Sequence, residues 1–257
     1  MKKISLIFYI LVFISIVALR SSLAQGPAVN MPGALFYQAN IYYQEGRYDE
    51  AIDVYEKLLG QGLESGNLYY NLGNSYFKKG ELGLAVLNYE RARILIPNDS
   101  DLKSNYDYAI QRLNLEPKFT GNHFEKTVYN LFQAITVDSL TILLSVIYVV
   151  VILLLTLNLF LSGARRFTGW VICALVFLSI LFVFALNRKI SYINKTAVVI
   201  SKEADVKFEP LENATTYFKL SEGSKVEVVE KAEGWYKVRR FDNKFGWVIK
   251  AALNKIN

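Results

Sequence analysis

The chain has 257 residues, 53% of them hydrophobic, with 29 basic against 23 acidic side chains and a formal net charge of +6. A single cysteine, Cys173, and a single histidine, His123, exclude an internal disulfide, a cysteine-cluster metal site and a histidine-rich zinc site. The apolar excess sits in three segments, so the rest reads as ordinary soluble sequence.

Residues 1–24 carry the three parts of a secretory signal. Lys2 and Lys3 are the positive start, Ile4 to Leu19 the apolar run, and Ser22-Leu23-Ala24 the small residues before a cut at Gln25. Uncleaved, the same segment would be an N-terminal anchor. Cleavage removes Lys2, Lys3 and Arg20 and brings the net charge to +3.

The next segment repeats with a period of 34: Tyr42, Gly46, Ala51 and Tyr55 recur as Tyr76, Gly80, Ala85 and Tyr89. Small residues at Gly73 and Ala85 let two helices approach, Tyr76 and Tyr89 fill the space between them, Gly80 permits the turn and Pro97 ends the pair. With Leu72-Gly73, Tyr76, Gly80, Ala85, Tyr89, Ala92 and Pro97, the second copy resembles a tetratricopeptide repeat. The resemblance implies repeats at 32–65 and 66–99 and a capping helix within 100–115 whose face carries Leu102, Tyr106, Ala109 and Leu113. In the repeat register the first helix of each pair lines a concave face. The candidates for binding an extended peptide there are Asn40, Tyr43, Tyr70, Asn71, Asn74, Phe77 and Lys78, with Asn105 from the cap, flanked by Phe36 and Asn67. Asparagine amides can bond a peptide backbone and Lys78 a carboxylate, but Asn and Tyr at these places are also repeat consensus. From Gln25 to Leu115 there are 8 basic and 11 acidic residues, which argues against nucleic acid.

Phe124, Val128, Leu131, Phe132 and Ile135 recur at helical spacing within 116–138. They predict an amphipathic helix, either on the membrane surface or packed under the repeats. Two uncharged apolar runs follow, predicting membrane crossings at 140–162 and 168–187, with Trp170 as an interfacial anchor. Arg165 and Arg166 lie in the tight turn between them. Short Arg-rich loops stay in the cytoplasm, and the signal sends the preceding segment outward. Both arguments place the turn inside and both large flanks outside, against the opposing pull of Arg188 and Lys189.

From about residue 195 the pattern changes to period two. Five short strands are expected, from the runs T-A-V-V-I-S, T-Y-F-K-L, S-K-V-E-V-V-E, W-Y-K-V-R-R and F-G-W-V-I. Gly223, Val226, Val228, Gly234-Trp235, Val238 and Gly246-Trp247-Val248 resemble the bacterial SH3 family, and the resemblance implies a small barrel over 195–257. Asp205-Val206-Lys207-Phe208 departs from that family's first hairpin. Trp235, Tyr236 and Trp247 are either barrel core, the reading favoured for most of them, or part of an aromatic groove for which they are the candidates. The segment Arg188 to Asn257 has 14 basic and 9 acidic residues, a surface suited to anionic lipid, wall polymer or an acidic partner such as the repeat platform.

The fold class read from the sequence is multi-domain: an all-α repeat platform, a two-helix transmembrane hairpin and a C-terminal all-β SH3-like barrel. This order resembles the BatE family, the aerotolerance-operon protein E of bacteria. The resemblance implies an envelope scaffold linked to oxygen or stress tolerance, with von Willebrand factor A-domain membrane proteins and a MoxR-type ATPase system as partners. No catalytic Ser/His/Asp or Cys/His set and no phosphate loop is found, so no enzyme activity, cofactor or metal is expected. The expectation is a protein-binding scaffold in the bacterial cytoplasmic membrane; the alternative is a tethered module for cell-wall peptide or glycan. Alkaline phosphatase fused beyond Asn257 is expected to be active and the same enzyme inserted at Arg165-Arg166 silent; the reverse pattern inverts the topology.

Overall fold

A computed structural model describes residues 31–115, 127, 131–160 and 165–257. The expected signal segment, most of the expected amphipathic linker with His123, and the tip residues 161–164 lie outside the described residues.

Five helices form the platform: α1 (Met31–Gln44), α2 (Tyr48–Gly60), α3 (Gly66–Lys79), α4 (Leu82–Leu95) and α5 (Ser100–Arg112). Local chemistry sets their ends. Ser65 caps α3, its Oγ accepting from the Leu68 amide at 3.1 Å, and Asp99 caps α5 by accepting from Leu102 at 2.8 Å. Gly46 and Gly80, one repeat apart, end α1 and α3 at φ of +77° and +83°. The small-residue argument holds at Gly73, where a methyl group would meet the Tyr89 ring at 2.7 Å. Tyr55 and Tyr89, the equivalent residues of the two repeats, are 0% and 1% exposed and fill the space between their helices.

Two long apolar helices follow, α6 (Val137–Phe160) and α7 (Arg165–Lys195), and they pack on each other. Their most apolar windows have mean hydropathies of 3.0 and 2.7, and the rest of the protein buries only 11% and 0% of them. They are therefore not core helices of this fold. Arg165 begins α7, where a cation opposes the helix dipole, but its Nε donates to the Asn158 carbonyl at 3.1 Å near the C-terminal end of α6, where a cation is favourable. Thr168 donates to Asn158 Oδ1, so the side-chain oxygen and the carbonyl of Asn158 are both used within the hairpin.

The C-terminal module is one antiparallel sheet of seven strands: β1 (Thr196–Val199), β2 (Glu203–Lys207), β3 (Thr216–Ser221), β4 (Lys225–Ala232), β5 (Trp235–Arg239), β6 (Phe245–Ile249) and β7 (Leu253–Lys255). The order is β3-β2-β6-β5-β4-β1-β7. The sequence predicts five of these. β7 has three residues, too few to show a period, and β2 alternates but turns only Ala204 and Val206 inward, a weakly apolar pair among Glu203, Asp205 and Lys207. The core is aliphatic: Ala197, Val199, Ala204, Val206, Leu220, Val226, Val228, Val238, Val248, Ala252 and Leu253.

The barrel is docked on the platform. β1 is buried on both faces, with Ala197 and Val199 in the barrel core and Val198 in the core of the helical repeats. α4 has no side-chain cap of its own. The cap comes from the barrel, where Glu222 accepts from the Gly83 amide at 2.8 Å and is held by Lys202 at 2.7 Å. Only glycine fits at position 83, because a methyl group there would lie 2.8 Å from the Val199 carbonyl. Farther along α4, Arg91 donates to the Lys255 carbonyl at 3.0 Å, and buried Glu90 pairs with Lys225 at 2.7 Å and Arg93 at 3.1 Å.

Burial alone would raise the Glu90 pKa, but the charges of Lys225 and Arg93 and the bonds from Lys225 and Tyr106 outweigh it and hold the carboxyl at about 2. The native carboxyl therefore binds its proton less readily than the unfolded one, whose value is 4.5. Its stabilisation is complete above pH 4.5 and is lost as the pH falls toward 2, on the order of 3 kcal/mol. In urea titrations, the stability difference between wild type and Glu90→Gln is expected to be constant near neutrality and to shrink across that window. A pH-independent difference would refute the ion-pair account.

Candidate functional site

The first helices α1, α3 and α5 line the concave side of the platform. A cleft of about 240 Å³ lies there, lined by Tyr43, Asn74, Phe77, Lys78, Tyr89, Asn105 and Tyr108. Five of the eight residues expected on this face thus meet in one place. The other three, Asn40, Tyr70 and Asn71, stand beside it in the hydrogen-bond network that shapes it.

That network repeats with the period of the sequence. Asn40 Oδ1 accepts from the Tyr55 hydroxyl at 2.6 Å and from Asn71 Nδ2 at 2.9 Å. Thirty-four residues on, Asn74 Oδ1 accepts from the Tyr89 hydroxyl at 2.8 Å and from Asn105 Nδ2 at 2.9 Å. Asn105 Nδ2 also donates to the Tyr70 hydroxyl at 2.8 Å. Each rung ties the tyrosine of one helix pair to the first helix of the next. The oxygens of Asn40 and Asn74 therefore brace the repeats, which leaves fewer amide groups for a ligand than the sequence alone implies.

The walls are aromatic and the rim is positive. Phe77 and Tyr108 stack with centroids 5.5 Å apart, and the Arg112 guanidinium lies 5.9 Å from the Phe77 ring. Burial, with smaller effects from Tyr48 and Tyr70, raises the Tyr43 pKa and keeps its hydroxyl a donor. Burial does the same to Tyr89. Lys79 is held by Asp49 at 2.7 Å and Glu81 at 2.8 Å. Lys78 is exposed and has no acidic partner among the described residues. Such a site has stacking walls, amide hydrogen-bonding groups and a free cation, which suits an extended peptide bearing a carboxylate. Sequence reasoning missed Tyr108, although it lies three residues after Asn105 and hence on the same face of α5.

In the barrel, the core reading of the tryptophans is corrected: Trp235 and Trp247 are both half-buried and neither joins the aliphatic core. Strand parity explains this. Trp235 pairs with Ile249 and Lys237 with Trp247, so both indoles stand on one outer face, while Tyr236, paired with Val248, packs against the core. Lys207 lies 5.7 Å from the Trp235 ring and Lys237 lies 5.5 Å from that of Trp247. Trp235 separates two clefts, of about 470 and 770 Å³, and Tyr236 lines the larger with Gly234, Ile249 and Lys250. Trp247 lines neither cleft, so the three aromatics do not form one groove. Arg165 and Arg166 are exposed at the start of α7.

The tetratricopeptide repeat family model matches residues 18–62 and 36–100. The bacterial SH3 domain model matches residues 202–254. The chain therefore carries tetratricopeptide repeats and a bacterial SH3 domain, and β1, which joins the two cores, precedes the matched SH3 segment. A search of curated proteins returns no match.

Asn74→Ala leaves the buried Tyr89 hydroxyl without its acceptor and is expected to cost about 1–3 kcal/mol in chemical denaturation. Lys78→Gln, at an exposed and unpaired position, is expected to change stability by less than about 0.5 kcal/mol. Equal costs would refute the division between bracing amides and a free rim cation.

Proposed function

We propose that the protein is a non-enzymatic scaffold of the bacterial cytoplasmic membrane that holds protein partners on its outer side. The observation that carries this reading is the division of the platform's two faces. The barrel covers α4 through Glu222, Val198 and Lys225. The concave face keeps an open aromatic cleft with an unpaired cation. Tetratricopeptide repeats and bacterial SH3 domains are typically binding modules and not catalysts.

The membrane reading is supported by two apolar helices that the protein does not bury itself. Direct contact between the platform, which precedes α6, and the barrel, which follows α7, supports an even number of crossings between them. Arg165 and Arg166 favour a cytoplasmic tip. The BatE resemblance supports a role in an aerotolerance or stress-related envelope complex with von Willebrand factor A-domain proteins and a MoxR-type ATPase system.

A second reading, binding of cell-wall peptide or glycan by the barrel, is favoured by one observation: the half-buried Trp235 indole shared by two adjoining clefts. The two readings separate in one affinity purification of the detergent-solubilised full chain. Under the scaffold reading, co-purifying membrane proteins are lost with Phe77→Ala and Lys78→Glu and retained with Trp235→Ala. Loss of peptidoglycan sedimentation with Trp235→Ala, and no effect of the groove variants on any partner, would replace the first reading with the second.

A further inference from the structure

The segment from Arg188 to Asn257 carries 14 basic and 9 acidic residues. The structure gathers much of this basic excess in one place. A cleft of about 490 Å³ lies where α7 meets the barrel, lined by Arg188, Lys195, Lys225, Arg239, Arg240 and Phe241 together with Glu227. We infer that this cleft binds the phosphate of an anionic phospholipid in the leaflet from which α7 emerges; the inference rests on the membrane reading above.

The uncharged run of α7 ends at Asn187, and Arg188 is the first charge beyond it. From Arg188 to Lys195 the helix rises roughly 10 Å. The headgroup layer on each side of the hydrocarbon is about 5–8 Å deep. The cleft therefore begins at the hydrocarbon boundary and spans the layer in which lipid phosphates lie. No linker loosens this placement, because α7 ends at Lys195 and β1 begins at Thr196. The junction is braced: Thr196 donates to the Tyr192 carbonyl at 2.7 Å, Lys255 to the Asn194 carbonyl at 2.7 Å, and Asn257 to the Asn194 side chain at 3.0 Å.

Lys225 is held by Glu90, Arg239 by Glu227 and Arg240 by Asp242. Arg188 has no acidic partner among the described residues, and Lys195 approaches Glu227 only to 3.9 Å. Two positive charges are thus left in excess at the mouth of the cleft, while the paired cations still present donors. The hairpin between β5 and β6 carries Arg240 and Phe241 at its tip, beside Arg239 at the end of β5, and Phe241 is 68% exposed next to these cations. An exposed ring next to basic side chains suits the boundary between headgroup and acyl chain. A cation near an anionic membrane surface contributes about fivefold in affinity.

The test uses the detergent-solubilised full chain in native mass spectrometry, with phosphatidylglycerol, phosphatidylcholine and inorganic phosphate as separate arms. Retention of phosphatidylglycerol over phosphatidylcholine is expected. Arg188→Gln and Lys195→Gln are each expected to lower it about fivefold. Arg188→Lys and the distant Lys103→Gln are expected to retain it, which separates loss of the site from loss of the fold. Equal retention of the two lipids, an equal effect of Lys103→Gln, or displacement of phosphatidylglycerol by an equal concentration of phosphate would overturn the inference. Carbonate extraction of cell membranes tests the membrane reading on its own: release of the chain refutes that reading, whereas retention together with equal lipid binding refutes only the headgroup site.

Discussion

A helix of the platform is capped by a carboxylate from the barrel, and most of the architecture depends on that contact. α4 begins without a side-chain cap of its own, so its first amides and the positive end of its dipole need an acceptor. Glu222 supplies it at the Gly83 amide, and Lys202 balances the charge. The contact requires glycine at position 83 and brings Val199 and Ile200 against the start of the helix. With Val198 and Ile256 in the repeat core, the barrel adds to the hydrophobic interior of the platform while keeping a core of its own. Two repeats and a cap are near the lower limit for a stable solenoid, because each unit needs neighbours to cover its apolar face. The barrel acts as that neighbour on the side of α4.

The two faces of the platform are consequently used differently. The side of α4 is occupied by the barrel, and the side of α1, α3 and α5 stays open. The asparagine–tyrosine rungs keep that side in shape: a buried hydroxyl ties the two helices of each pair, and an asparagine–asparagine bond ties the pair to the next first helix. The groove is therefore preorganised. At the other end of the molecule, the direct passage from α7 into β1 transmits the orientation of a long apolar helix to a strand buried in both cores. A rigid connection of this kind sets how far the modules stand from whatever surface α7 enters.

Much of this was legible in the residues. The period of 34 gave the helix pairs, because spacing in a repeat follows from close packing at Gly73, Ala85 and the tyrosines. The two apolar helices were legible because length and the lack of charge suffice to mark them. Most barrel strands were visible as alternating runs; β7 was not, being three residues long, and β2 was not, because its alternation rests on one alanine and one valine among charged residues. The core reading held for Tyr236 but not for the two tryptophans, because composition says how apolar a residue is and not which face it takes. Pairing register decides that, and it puts Trp235 and Trp247 outside and Val238 and Val248 inside. In the groove, only geometry divides the duties of the residues: Asn74 braces, whereas Lys78 has no acidic partner among the described residues.

The sequence by itself determined the modules, their order and the residues along the concave face, since each of these depends on contacts between residues close in the chain or one repeat apart. Only the tertiary structure decided that the barrel seals the platform. Gly83 and Glu222, and likewise Glu90 and Lys225, are more than a hundred residues apart. A local pattern carries no record of such a pairing, because a glycine at a helix start or a charge on a helix face looks the same whether water or a distant strand lies against it.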